Sequence, residues 1–449
     1  MTEASATGAT KRGGRLRRLV VSGAIWTVGG HATSQVLRLG SNLILTRLLT
    51  PELFGLMSLV QTFLAGIRMF SDIGIGPNIV ISKHGENYDF LNTAWTVQVL
   101  RGLGIATVAW LGSSIFARLY AQPELTALIM VSSLSAIIAG FNSTALHTES
   151  RNLNIRRLTL VSLGSQIPSI AVMVVWAWIS PSVWALIAGA LSGAAIQCVA
   201  THVFLPRRKH RFAWHPEALQ ELLRFGRWIF LSTVLGYAVN HADKLIMGGV
   251  LSMEALGIYS VAATAVIIPT NIYERFKQGT LLPAYSTVFR DRPHDFPGVV
   301  RKSRMALLCI VVPGLSAMIV FGDDVVRLLY DARYADAGQM LQILSVALLV
   351  DMIHEAGPVM LSHGHSFMMT KLLGVRATLL LAGMAIGGQY GIHGILWGIV
   401  ISRLVMYPIE VFVLRRYKSW FWYLDLAAVG GAASLVSLGF WLERLLSGS

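Results

Sequence analysis

Apolar runs of about twenty residues recur along the whole chain, and their length is the feature that most restricts how it can fold. At 1.5 Å of rise per residue, such a run covers the roughly 30 Å of hydrocarbon in a bilayer. Hydrocarbon offers no partner to an unpaired peptide group, so a spanning segment is either a helix or a strand of a closed barrel. Barrel strands alternate in polarity over about ten residues, and these runs do not. Composition agrees: 13% of the 449 residues are charged and 54% are hydrophobic, against about 25% charged in soluble domains. The sequence therefore predicts an all-α polytopic membrane protein with about 12 to 14 transmembrane helices.

Spans are expected at 19–46, 53–71, 91–117, 125–147, 158–179, 183–205, 222–250, 255–282, 303–322, 338–361, 371–388, 391–413 and 421–441. Turn residues mark the joins, among them Pro51, Pro123, Pro181, Pro206 and Gly391. No connection is long enough to hide a folded domain. The expected organisation is a basic tail (1–18), a six-helix lobe (19–205), a linker (206–221), a second six-helix lobe (222–413) and an extra helix with a tail (414–449).

Lysine and arginine fall on alternate connections, 25 on one side against 5 on the other. By the positive-inside rule the richer side is cytoplasmic, so the N-terminus is predicted there too. The N-terminal region reads as a retained first helix rather than a secretory signal, being too long and lacking a small-residue cleavage site. A net charge of +14 with a pI near 10.1 could suggest nucleic acid. Concentration of the cations on one membrane face instead points to topology and anionic lipid headgroups. Cys198 and Cys309 both fall within spans, without metal-ligand spacing, and no cofactor or metal is expected.

The two halves share a motif. A shift of 202 positions pairs Glu52 with Glu254, Gly55 with Gly257, Ser58 with Ser260 and Trp26 with Trp228. Glu-x-x-Gly-x-x-Ser across a helix-to-helix join is a more demanding match than the leucines around it. The shift carries span 1 onto span 7, an even number of crossings, so both copies share one orientation. Parallel halves of this kind are a transporter architecture.

Several stretches together resemble one family. They are Ser-Asn-Leu-Ile-Leu-Thr-Arg-Leu-Leu-Thr-Pro-Glu-Leu-Phe-Gly-Leu from Ser41, Phe-Ser-Asp-Ile-Gly-Ile-Gly-Pro from Phe70, Phe-Leu-Asn-Thr-Ala-Trp from Phe90, Leu-Leu-Arg-Phe-Gly-Arg-Trp from Leu222 and Leu-Tyr-Asp-Ala-Arg-Tyr-Ala-Asp-Ala-Gly from Leu329. They look like the bacterial polysaccharide-export flippases of the multidrug, oligosaccharidyl-lipid and polysaccharide exporter superfamily, with similarity from about residue 20 to 420. The resemblance implies two pseudo-symmetric six-helix lobes around a central cavity. It also implies alternating access, and translocation of an undecaprenyl-diphosphate-linked oligosaccharide from the cytoplasmic to the periplasmic leaflet. Polysaccharide polymerase and glycosyltransferases of the same pathway are the implied protein partners.

Such a cargo needs cations for its phosphates and hydrogen-bonding groups for its sugars. Ionisable residues inside spans are functional candidates because hydrocarbon penalises them. Arg38 and Arg101 each lie about ten residues into a helix, with no acid three or four positions away. Arg275, beside Glu274 and after Pro269, is a third candidate phosphate ligand. An interhelical pair with Asp243 or Glu274 is the structural alternative for the two arginines. Arg68 and Asp72, four apart, read as a local pair; Lys277 reads as snorkelling to the cytoplasmic face; Arg403 and Glu410 share a helix face and are expected to pair with neighbouring helices. Asp351 and Glu355, with His354 between them, form either a proton or cation relay or a sugar-binding cavity wall, and Asp243 and Glu274 join them as cavity-polar candidates.

Two other classes remain. A membrane glycan polymerase or ligase would act on the same lipid-linked sugars, but its catalytic groups would have to sit in the short acidic connection from Gly322 to Ala337, with Asp323, Asp324, Asp331 and Asp336. A small-molecule or drug antiporter would favour an anionic cavity, which the excess of intramembrane arginine opposes. No phosphate-cradling loop and no His-Glu-x-x-His occur.

Overall fold

In the computed structural model every regular element among the described residues is helical. Residues 3–206, 210–353 and 356–447 are described, with side chains for all of these except 3–25, 223–232 and 445–447. In chain order the helices are α1 (Glu3–Leu48), α2 (Pro51–Phe70), α3 (Ile75–Ile81), α4 (Tyr88–Leu119), α5 (Glu124–Gly140), α6 (Ala145–Arg151), α7 (Ile155–Ile179), α8 (Val183–Val203), α9 (Pro216–Val250), α10 (Met253–Phe276), α11 (Leu282–Asp291), α12 (Phe296–Leu329), α13 (Ala337–Ile353), α14 (Gly357–Ser362), α15 (Ser366–Gly387), α16 (Gly391–Arg416) and α17 (Trp422–Ser447). Every span expected from the sequence falls on one of these helices or on a consecutive pair.

Nine stretches of the described residues are long and apolar enough to cross a membrane, or ten when α5 and α6, bent by 58°, count as one. One of the nine, Ser366–Arg416, holds both α15 and α16. The α5–α6 break has a local cause: the Ser143 hydroxyl accepts from the Ala145 amide at 3.2 Å and sits 2.9 Å from His210 Nε2, which starts a new helix instead of continuing the old one. The short helix α3 follows a tight turn. Gly74 takes φ 65° there and donates its amide to Asp72 at 3.0 Å, which accounts for the Ser-Asp-Ile-Gly sequence.

Contacts divide the chain into two compact units, Met1–Leu49 with Val60–Val234 and Thr50–Leu59 with Leu235–Ser449. In the first, α4 packs on α5, α7 on α8, and α1 on α7. In the second, α12 packs on α13 and α17, α10 on α13, and α15 on α16. Leu315, Leu349, Met352, Leu424 and Ala428 belong to the buried core there. Gly383 and Gly387 of α15 face the carbonyls of Gly398 and Gly394 of α16, so small residues let these backbones approach closely.

The repeated motif explains a contact inside the second unit, which includes the first turns of α2. Thr50 and Ser252 occupy equivalent positions ahead of the two helices, and Ser252 caps α10 by accepting from the Ala255 amide at 3.2 Å. Glu52 and Glu254 lie in the first turns, where the helix dipole favours acid. Gly55 then meets α10 and Gly257 meets α2 reciprocally. A Cβ on Gly55 would overlap the Met253 carbonyl oxygen and lie 3.2 Å from the Gly257 nitrogen; one on Gly257 would overlap the Pro51 carbonyl oxygen and lie 3.1 Å from the Gly55 nitrogen. Met253 and Pro51 are themselves separated by the repeat shift, so the contact is self-complementary.

Gly55→Ala and Gly257→Ala are each expected to lower the thermal unfolding midpoint of the detergent-solubilised protein, since overpacking of this kind costs about 1–3 kcal/mol. Gly104→Ala is the control, because a Cβ there meets nothing within 4 Å and gains helix propensity. Equal midpoints for all three would contradict the close approach.

Candidate functional site

In the first unit, Arg101 on α4 reaches across to the end of α2. Its Nη1 lies 3.6 Å from Asp72 Oδ1, its Nε donates to Ser71 Oγ at 3.2 Å, and its Nη2 donates to the Arg68 carbonyl at 2.7 Å. A cation at a helix C-terminus meets carbonyls without intrahelical partners and the negative end of the dipole. Asp72 therefore faces Arg101, not Arg68 as its spacing predicts. Arg68 lies within electrostatic reach of Arg101, which also holds its backbone carbonyl.

Arg38 on α1 is exposed and has no hydrogen bond or ion pair from its side chain among the described residues. One turn earlier Ser34 donates to Gln166 Oε1 on α7 at 2.7 Å, and Gln166 returns a bond to the Ser34 carbonyl at 3.1 Å, which fixes the register of α1 against α7.

The second unit holds a denser set of charges. Asp351 on α13 is bridged by Arg376 on α15 and by Arg403 Nη1 on α16 at 2.5 Å. Arg376 also lies 3.9 Å from Glu410 on α16, a residue only 2% exposed. On α9, Asp243 accepts a short bond from the hydroxyl of the buried Tyr259 on α10, while its other oxygen is buried and has no hydrogen-bond partner among the described residues. Glu274 pairs with Lys277 at 2.5 Å, where α10 passes into one π-helical turn over Lys277–Leu281 before α11. Such turns recur at functional sites.

Arg275 ends α10, exposed and with no ion pair among the described residues. Glu355 and His354 lie outside the described residues. The structure thus joins Asp351 to Arg403, places Asp243 and Glu274 in separate local pairs, and leaves Arg38 and Arg275 exposed.

Three of the 25 cations assigned to the cytoplasmic side, Arg376, Arg304 and Arg151, do other work. Arg376 lies midway along α15 and neutralises Asp351. Arg304 binds Asp425, and its Nε donates to the Ile353 carbonyl at 3.0 Å; Tyr407 and Trp420 complete the carboxylate's shell at 2.9 and 3.0 Å. Arg151 caps the end of α3 through the Ile79 and Val80 carbonyls. A signal for Arg376 existed: it interrupts an apolar run five residues after Lys371. In the acidic stretch near 330, Asp323 pairs with Arg327 at 2.7 Å and Asp331 with Arg333 at 3.2 Å, so these two acids are engaged locally. His363 lies in the turn between α14 and α15 among Phe289, Phe296 and Tyr417, and burial pulls its imidazole below the ordinary range. No cluster of three or more metal-ligating side chains occurs among the described residues.

Residues 44–339 match the family described as polysaccharide biosynthesis protein. The chain belongs to this family. Among curated proteins, the lipopolysaccharide biosynthesis protein WzxC of Escherichia coli is 22% identical over 96% of this chain and 86% of its own length. The succinoglycan biosynthesis transport protein ExoT of Rhizobium meliloti is 21% identical over 68% of this chain and 61% of its own. Among solved structures, the lipid II flippase MurJ in its inward closed conformation superposes with a TM-score of 0.73 at 11% identity, covering 94% of this chain and 93% of MurJ. An inward-facing multidrug resistance transporter of the MATE family gives 0.69 at 13% identity, covering 86% and 95%. This polysaccharide biosynthesis protein is thus a multi-pass membrane protein with the transporter fold seen in MurJ and MATE proteins.

Arg376→Ala is expected to destabilise the protein by less than the roughly 3–5 kcal/mol of a fully uncompensated buried charge, because Asp351 keeps Arg403. Adding Asp351→Ala to it costs less than the sum of the single changes, because the two residues share one interaction. Thermal unfolding of the four proteins in detergent closes the cycle, and strict additivity would show that the pair is not coupled.

Proposed function

We propose that the chain is a flippase that moves undecaprenyl-diphosphate-linked oligosaccharide repeat units from the cytoplasmic to the periplasmic leaflet of a bacterial inner membrane. The route is alternating access, the N-terminus is cytoplasmic, and the product feeds exopolysaccharide, capsule or O-antigen synthesis through glycosyltransferases upstream and a polymerase downstream. Membership of the polysaccharide biosynthesis family and the transporter fold support transport over catalysis. So do the names of two relatives, a transport protein and a flippase.

The observation that carries the phosphate-binding part is Arg38. It lies ten residues, about 15 Å, from the end of α1, and an uncompensated guanidinium at that depth costs several kcal/mol unless water or an anion meets it. A diphosphate headgroup is such an anion, and bidentate binding suits a guanidinium fork. Arg101, with its loose 3.6 Å pair to Asp72, and Arg275, exposed in the last turn of α10, are the other proposed phosphate ligands. Asp243, Glu274, Asp351 and Glu355 are proposed as polar groups for sugar or for ion coupling. In this reading 19–205 and 222–413 are the two six-helix lobes.

In a strain that depends on this gene, Arg38→Ala and Arg101→Ala are each expected to cut surface polysaccharide by about ten- to a hundredfold, as loss of a charge-assisted hydrogen bond worth about 1.5–3 kcal/mol implies. Arg38→Lys restores part of it. Gene deletion leaves lipid-linked units on the cytoplasmic side, where loss of a polymerase would export single units. Normal polysaccharide from a stably inserted Arg38→Ala/Arg101→Ala double variant refutes the assignment.

A further inference from the structure

Between α10 and α12, within the second unit, lies a cavity of about 380 Å³, inside the range of roughly 300–1,000 Å³ for small-molecule sites. Ile268, Ile272 and Phe276 line it from α10, and Ile310, Gly314 and Met318 from α12. Residues four apart form one stripe on each helix. Each helix carries a proline at this level, Pro269 and Pro313, which removes a helical hydrogen bond and disfavours a straight, closely packed pair. The back wall includes Leu315 and Met352 of the buried core. Walls of this kind gain dispersion only from another hydrocarbon surface.

Charge at one end narrows the choice of hydrocarbon. The chain runs out of α10 through α11 and returns into α12, so Arg275 and Lys302 both lie toward the connected ends of the two stripes. Arg275 follows Ile268 and Ile272 on the same side of α10, and Lys302 precedes Ala306 by one turn of α12. Both side chains are exposed and neither forms an ion pair among the described residues; the nearby acid Glu274 is held by Lys277. Two free cations match a diphosphate better than the single charge of a phospholipid phosphodiester.

We propose that this cavity is the subsite for the isoprenoid chain of a polyprenyl diphosphate, whose phosphates lie at the Arg275–Lys302 end. This rests on the lipid-linked cargo proposed above and locates its tail. The exposed edge of the cavity lets the chain enter from the bilayer while the headgroup moves through the protein.

The test is photolabelling of the full chain in phosphatidylethanolamine nanodiscs with a polyprenyl diphosphate carrying a diazirine in its chain, with adducts mapped by mass spectrometry. Adducts are expected on the α10 and α12 stripes, suppressed by unlabelled polyprenyl diphosphate and not by phosphatidylglycerol. A Cβ on Gly314 meets nothing within 4 Å, so a side chain can start there, and Gly314→Phe, placed on the cavity wall, is expected to reduce these adducts about tenfold, equivalent to about 1.4 kcal/mol of binding. Ala306→Phe serves the same purpose if Gly314→Phe does not insert. Unchanged labelling in the filled variant, labelling elsewhere only, or equal competition by phosphatidylglycerol overturns the subsite. Because labelling needs no transport, a wild-type protein that labels here without flipping defeats the flippase reading and leaves the subsite standing, while flipping without label in the cavity does the reverse.

Discussion

A charge at bilayer depth has to be met by an opposite charge, by water or by a ligand, and the interior of the second unit is arranged around the first of these. Asp351 is the hub: Arg376 and Arg403 reach it from two different helices, and Glu410 stands behind Arg376. Replacing one buried ion pair by apolar residues often stabilises a protein, so such a hub is poor evidence of stability for its own sake. What it does fix is register. Sliding α15 past α13 by one turn would strand a guanidinium and a carboxylate together in a low dielectric, whereas sliding two apolar helices past each other costs only imperfect packing. The Arg304–Asp425 pair acts likewise between α12 and α17, with Tyr407 and Trp420 filling the remaining lone pairs of the carboxylate.

Glycine does the complementary work where no charge is present. At the reciprocal contact of Gly55 and Gly257, two helix starts approach closely enough that peptide groups touch. Between α15 and α16, Gly383, Gly387, Gly394 and Gly398 bring the helices of one hairpin together at two levels. Lipid is as apolar as leucine, so helices in a bilayer gain little by burying leucine against each other; close backbone packing and polar pairing supply the difference. Glycine contacts set how near helices lie, and ion pairs set their register.

Much of this was legible in the sequence because it follows from one dimension. The spans could be placed from run length, the joins from Pro and Gly, and the repeat from Glu52, Gly55 and Ser58 against their partners. Even the self-complementary glycine contact has its cause in that motif. What could not be read is which side chain faces which across two helices, since spacing along one helix says nothing about rotation of its neighbour. Asp72 shows this well: four residues after Arg68, it has a partner by helical spacing, yet α2 ends at Phe70 and leaves Asp72 beyond the helix, facing Arg101. Arg403 finds its partner on a neighbouring helix in Asp351 and Glu410 finds its own in Arg376, a cation that reads as a connection residue because Lys371 comes before it.

The intramembrane arginines differ in exposure and in partner. Arg376 and Arg403 are largely enclosed and held by carboxylates from other helices, so their positive charge is already neutralised. Arg38 and Arg275 are exposed without an ion pair among the described residues, so theirs is available. Arg101 stands between these extremes. Its side chain is 25% exposed, its carboxylate partner is 43% exposed, and 3.6 Å is too long for a good hydrogen bond. The close bonds to Ser71 and to the Arg68 carbonyl aim the guanidinium, while the loose one to Asp72 offsets its charge. A phosphate that displaced Asp72 would find the fork already oriented, at the expense of a weak, partly solvated pair. Pairing that is geometrically firm but electrostatically weak is what a site needs if it is to hold an anion on one face of the membrane and release it on the other.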